Sequence, residues 1–301
     1  FGGYYAFIKN PRINSKGLDT SAILGFTNSL FDVIKRENPD YLAVCFDKGG
    51  SQDRLEIFSE YKANRDETPE AIKIAVPFIE QILKALNIPV VVKKGYEADD
   101  IIGTLSKKAE QEGYQTFMVT PDKDFAQLVS ENIFMYKPMF GGGYEVWGVE
   151  EVKNKFEVTD PIQVIDFLGM KGDSADNIPG LPGVGDKTAK KFIAEYGSME
   201  KLLANTDKLK GKLKEKIETN KELGLLSKKL ATIILDVPVD FSPNEFKFKV
   251  KDLLEVKDVF RELEFRRLIE SVDRIFNINK DDKELEIKSE STIQTPVKNA
   301  G

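Results

Sequence analysis

The sequence predicts an α/β fold, a parallel sheet with helices between its strands, followed by an all-helical region. Short apolar runs at Tyr41–Phe46, Val90–Val92 and Thr116–Thr120 alternate with helical segments of 12 to 18 residues. Acidic residues follow each run, Asp47 the first, Glu97, Asp99 and Asp100 the second, Asp122 and Asp124 the third. Beyond Val149 the strand pattern fades and helical spacing takes over, which places a boundary near Asp160-Pro161.

In chain order, a first helix starts from Asp19 or Thr20 as N-cap. Ile23, Leu24, Phe26, Leu30, Phe31 and Ile34 recur at helical spacing until Asn38-Pro39 stops them. The Tyr41–Phe46 strand ends at Asp47. A charged stretch from Lys48 to Glu70 lacks a core-forming pattern over much of its length, and a helix runs from Pro69 toward Leu86. Val90–Val92 leads into a helix that opens at Glu97 and closes at Gly113. Thr116–Thr120 ends in Pro121-Asp122-Lys123-Asp124, and Ile133–Tyr136 and Tyr144–Trp147 flank Gly141-Gly142-Gly143 as a hairpin or loop. After about Asn279 the chain reads as linker or disordered tail.

Composition narrows the chemistry. The 44 Lys and Arg against 50 Asp and Glu leave a formal charge of −6 over 301 residues, so bulk charge names no partner. A single cysteine, Cys45, permits no internal disulfide and fits a reducing, cytoplasmic setting. No run of about 18 apolar residues argues for a membrane span. The sequence has no histidine. That excludes His-based triads and His-ligated zinc, and any metal must take oxygen ligands, which favours Mg²⁺ or Mn²⁺.

In open parallel sheets the working crevice lies at the carboxyl ends of the strands. That rule gathers Asp47, then Glu97, Asp99 and Asp100, then Asp122 and Asp124 at one edge. On the helix Glu97 and Asp100 share a face, while Asp99 looks sideways. Asp173 and Asp176, three apart in the helical region, are candidates to join them, with a loop and helix-cap cluster as the plainer reading. Eight converging carboxylates repel one another unless divalent cations bind. Two Mg²⁺ ions would offset the charge, activate water and stabilise a leaving oxygen of a phosphodiester.

Two stretches look suited to a polyanion. Gly180, Gly183 and Gly185 followed by Lys187-Thr188-Ala189 suit two helices joined by a tight hairpin whose backbone N–H groups approach a phosphate. A simple interhelical turn or a nucleotide-binding loop is the alternative. Arg54, Lys62 and Arg65 are candidates to line one side of a helix or ordered loop, with Tyr61 available to stack on a base; a solvated charged helix is the plainer reading, especially for Arg54. Lys190, Lys191, Lys208, Lys210, Lys212, Lys214 and Lys216 add a basic stretch near the hairpin.

Taken in order, Phe46-Asp47, Tyr61-Lys62-Ala63-Asn64-Arg65, Tyr96-Glu97-Ala98-Asp99-Asp100, Thr120-Pro121-Asp122-Lys123-Asp124, Gly172-Asp173 through Asp176-Asn177 and Gly180 through Ala189 resemble the 5′→3′ exonuclease (flap endonuclease) domain of bacterial DNA polymerase I, over roughly residues 4 to 275. The resemblance implies a PIN-like catalytic domain over 1–160 with a helical arch over about 51–75. It implies an all-α helix–hairpin–helix DNA-binding region over 161–278, often with bound K⁺, and a tail over 279–301 leading toward polymerase domains of a longer chain. The expected activity is Mg²⁺-dependent hydrolysis of DNA at 5′ ends and flaps by a monomer. The eight carboxylates would organise the metals, Lys62 and Arg65 would hold the scissile phosphate, and Arg54, Tyr61, Gly180, Gly183, Gly185, Lys187 and Thr188 would contact DNA.

The N-terminus departs from that pattern. Family members open with a strand carrying a metal-ligating aspartate, then an arginine just before the pair equivalent to Tyr4-Tyr5, and here Gly2 stands at the arginine's place. The expectation is an N-terminally incomplete chain of reduced activity, with a DNA-junction-binding module lacking turnover as the alternative.

Overall fold

The structure, a computed structural model, describes residues 10–139, 143–250 and 252–276. The N-terminal departure at Gly2, Gly141-Gly142 and the tail over 279–301 lie outside them. The chain divides into two compact units, one of Phe1–Val44, Thr68–Val90 and Pro243–Gly301, the other of Cys45–Glu67 and Val91–Ser242.

The first unit is built on helices whose apolar stripes face one another. Ser21–Glu37 follows the predicted period and ends at Asn38 in the left-handed conformation. Its Ile23, Leu30, Phe31 and Ile34 are buried, as are Ile79, Ile82 and Leu83 of the Glu70–Ala85 helix. Leu254–Glu262 and Arg266–Ile275 complete the unit, and Phe31 meets Phe260 and Phe276 edge-on at 6.0 and 5.3 Å.

The first three strands are shorter than the apolar runs suggest. β1 (Val44–Cys45) and β2 (Val90–Val91) pair through Val44 N–H to Pro89 O and Phe46 N–H to Val91 O, bonds that advance together as in a parallel ladder. β3 (Thr116–Val119) runs parallel to β4 (Ile133–Pro138), which returns as an antiparallel hairpin into β5 (Tyr144–Trp147). Among the described residues these form two separate ladders.

Between β2 and β3 lies the Ala98–Gln111 helix, closed by Gly113 at φ +84°. From Val149 onward the described residues form helices and no further strand. Val164–Lys171 packs against Lys221–Ala231 so closely that a Cβ on Gly169 would meet Lys228 Cα at 2.6 Å. Asp186–Tyr196 starts where the predicted hairpin ends, with Gly185 as its N-cap. No helix among the described residues is long and apolar enough to cross a membrane.

Candidate active site

Every candidate residue belongs to the second unit, and chain ends of β1, β2 and β3 deliver the first carboxylates. Asp47, exposed just past β1, accepts the Ala98 N–H at 2.5 Å and so sits at the mouth of the Ala98–Gln111 helix. Asp99 in that helix's first turn is pushed up to about 7 by burial, with Asp122, Glu97 and Asp47 adding to it. Asp122 caps the 3₁₀ turn Lys123–Leu128 by accepting the Asp124 N–H at 3.0 Å. Asp124 is also pushed up to about 7, by burial and then by Asp122, Asp173 and Asp176. Asp99 thus feels Asp47, Glu97 and Asp122, Asp124 feels Asp122, Asp173 and Asp176, and Asp122 links the two sets.

Cations stand among these acids. Lys62 Nζ donates to Glu97 Oε1 at 2.6 Å and lies 3.6 Å from Asp176, while Arg65 pairs with Asp176. Lys123 Nζ donates to Asp173 Oδ2 at 2.5 Å. Burial alone would raise the Asp173 carboxyl, but Lys123 and the Ala175 N–H outweigh it and hold it below its usual range. Sequence reasoning passed over Lys123; its place between Asp122 and Asp124 was the available signal.

The 58–65 segment is moored to the loop bearing Asp173 and Asp176. Lys62 N–H donates to Asp176 O at 3.0 Å, Asn64 Nδ2 to Ser174 O at 2.6 Å and Asn177 Nδ2 to Glu60 O at 2.6 Å. Lys62 holds φ +56°, an uncommon conformation for a side-chain-bearing residue, which these bonds keep in place.

Four expectations need correction, for Asp100, Arg54, Tyr61 and Gly180. Asp100 is fully buried: Arg54 Nη1 and Nη2 donate to its two oxygens at 2.8 Å each, and the Ile234 N–H donates to Oδ1 at 2.9 Å. Its oxygens are committed to the interior, which withdraws it from the metal set. Arg54, 5% exposed, also donates to Glu97 and to the carbonyls of Leu230 and Thr232, so it holds protein rather than DNA. Tyr61 is likewise buried, its hydroxyl donating to Glu97 Oε2 at 3.1 Å, which leaves no ring face for a base.

The glycine motif is divided. Gly180 is buried, its N–H donates to Ser227 Oγ at 2.9 Å, and it backs onto Gly172 at a distance no Cβ would allow. That removes it as a phosphate contact. Gly183, Gly185 and Lys187 are exposed and Thr188 is half-buried. Nothing lies near a Cβ built on Gly185, whereas one on Gly183 would lie 3.5 Å from Lys216 Nζ, so backbone and amine present together.

Among the described residues no three acidic groups are gathered, as they stand, into a ready metal cage. The donor set nevertheless suits a divalent cation. Asp124 Oδ1 is buried without a hydrogen-bond partner, and burial, with acidic neighbours adding to it, pushes two carboxyls toward neutrality. Because the native state holds protons on Asp99 and Asp124 that the unfolded chain releases above about pH 4, stability present at low pH is lost as pH rises through about 7. A divalent cation competes with those protons. The metal-free protein should therefore melt at lower temperature at about pH 8 than at about pH 5.5, and Mg²⁺ should raise the midpoint more at the higher pH. Equal metal-induced shifts in scanning calorimetry would count against the assignment.

Two family models cover this chain, the 5′-3′ exonuclease N-terminal resolvase-like domain over residues 1–157 and the 5′-3′ exonuclease C-terminal SAM fold over 159–253. The chain belongs to the 5′-3′ exonuclease family. A 5′-3′ exonuclease of Aquifex aeolicus is 40% identical over 91% of this chain and 92% of its own length. DNA polymerase I of Bacillus caldotenax is also 40% identical over 90% of this chain, which spans only 31% of that longer protein. A variant of the bacteriophage T5 flap endonuclease, solved as a pseudo-enzyme-product complex with DNA and metal ions, shares the fold with a TM-score of 0.61 at 21% identity, over 92% of this chain and 96% of that one. An α/β resolvase-like region followed by a helical region is thus the family architecture, as the sequence predicted.

Proposed function

We propose that this chain is the nuclease part of a protein that hydrolyses DNA phosphodiesters at 5′ ends and 5′ flaps, with two Mg²⁺ ions as cofactor. The observation that carries it is the set of seven linked carboxylates with Lys62 and Arg65 standing among them. Family membership and the DNA and metal ions in the phage enzyme's complex support the substrate class and the metal dependence.

Asp47, Glu97, Asp99, Asp122, Asp124, Asp173 and Asp176 would hold the cations, which supply water activation and charge stabilisation on a leaving oxygen. Lys62 and Arg65 are placed to exchange their carboxylate partners for the oxygens of a phosphodiester, binding and orienting it. The mooring of 58–65 onto 173–177 fixes where those two cations stand, and we read 51–67, the part of the expected 51–75 arch that lies in this unit, as a wall of the crevice. Gly183, Gly185, Lys187 and Lys216 would hold the duplex backbone without reading bases. We assign residues 1–160 to catalysis and 161–278 to DNA binding; the change of family model at 157–159 supports that division.

The test is incubation with a 5′-flap duplex in Mg²⁺ and, in parallel, in EDTA. Cleavage near the flap junction only with metal is expected. Flap binding without turnover at any metal concentration would replace this reading with a junction-binding module.

A further inference from the structure

Beside the carboxylates lies a cavity of about 390 Å³ that the chemistry above does not use. It falls in the size range of small-ligand sites, roughly 300–1,000 Å³. Two separate loops make its walls. Lys48 and Gly49 directly follow Asp47, while Lys94 and Gly95 directly precede Tyr96-Glu97. The Gln52 N–H donates to Gly95 O at 2.9 Å and joins the two walls.

Charge and surface in this cavity are of two kinds. Lys48 and Lys94 line it and make no ion pair among the described residues, unlike Lys62 and Lys123 nearby. The one acid in the lining, Glu56, accepts from the Gln52 side-chain amide at 2.9 Å. Leu55, 44% exposed, gives an apolar floor, and the backbone of Gly49, at φ +92° with nothing near the place of a Cβ, can be approached closely. Two free cations above an apolar floor match one nucleotide, phosphate on the amines and sugar or base on the floor.

The geometry points to a subsite that holds one nucleotide of the cleaved strand, immediately flanking the scissile phosphodiester, with its phosphate between Lys48 and Lys94. This rests on the nuclease reading. Lys48 directly follows Asp47 in the chain and Gly95 stands two positions before Glu97, so a strand whose phosphate lies at these acids would bring a neighbouring phosphate toward the two lysines.

The test compares the wild type with K48A/K94A and K48R/K94R, binding a fluorescent 5′-flap duplex by anisotropy in Ca²⁺ across a salt series. Loss of both amines should weaken binding about tenfold and reduce the salt slope by about one, and the arginine pair should restore both. Flaps with single neutral methylphosphonates then place the contact. One position flanking the cut should weaken the wild type and leave K48A/K94A unaffected, the signature of a shared contact. If the wild type does not bind flaps, the nuclease reading itself fails. If it binds and K48A/K94A matches it in affinity and slope, or every neutral position affects both proteins equally, the subsite is overturned.

Discussion

Arg54→Met is expected to lower the unfolding free energy by about 3–5 kcal/mol, the usual consequence of removing one partner from a buried ion pair. Arg54 is 5% exposed and Asp100 is fully buried, so no water replaces the lost guanidinium. The change strands Asp100 with only the backbone N–H groups of Glu97 and Ile234, and it leaves the Leu230 and Thr232 carbonyls without this donor. Burial alone would disfavour the Arg54 charge, but bonding to Asp100 outweighs it and holds the guanidinium firmly protonated. Because the pair joins the Gln52–Ile57 helix, the Ala98–Gln111 helix and the 230–234 segment, the loss is global rather than local. Replacing both partners by apolar residues, Arg54→Met with Asp100→Leu, should recover part of it. Urea denaturation of the single and double variants measures this. A single-variant loss under about 1 kcal/mol would show that the pair is not the buried strut described here.

Asp122→Asn is expected to lower turnover on a 5′ flap by roughly 10³, equivalent to several kcal/mol of lost transition-state stabilisation. The same change should raise the melting temperature of the metal-free protein. Asp122 is exposed and, after burial, is the first cause of the raised Asp99 and Asp124 carboxyls, so removing its charge relieves both. Asparagine keeps an oxygen for the Asp124 N–H, and the local turn survives. Asp100→Asn should behave the other way, costing about 3 kcal/mol of stability through its lost pairing with Arg54. Steady-state cleavage and calorimetry on the two variants separate a charge kept for metal from one kept for the fold. If Asp122→Asn destabilised the metal-free protein as much as Asp100→Asn, the distinction drawn between these acids would be wrong.

Much of the frame was legible in local pattern. Ser21–Glu37 has five turns of apolar period and a left-handed Asn38 at its end, and the hairpin at 133–147 follows its two aromatic runs. Strand lengths were not legible: Tyr41 to Phe46 is apolar throughout, yet β1 covers only Val44–Cys45, because ladder pairing depends on a partner and not on composition. Arg54 was misread because its helix has six residues, too few for a period to show which face turns inward.

By itself the sequence determined that acids follow each of the first three strands, that no histidine shares their work, and that Asp99 and Asp100 project about 100° apart on one helix. Only the tertiary structure decided their fates. Asp100 turns toward Arg54 and the 230–234 backbone, more than 120 positions away in the chain, while Asp99 turns toward Asp122. Helical geometry sets the angle between neighbouring side chains, but what fills the space on each side comes from distant segments, and that alone separates a carboxylate neutralised by arginine from one left for a cation.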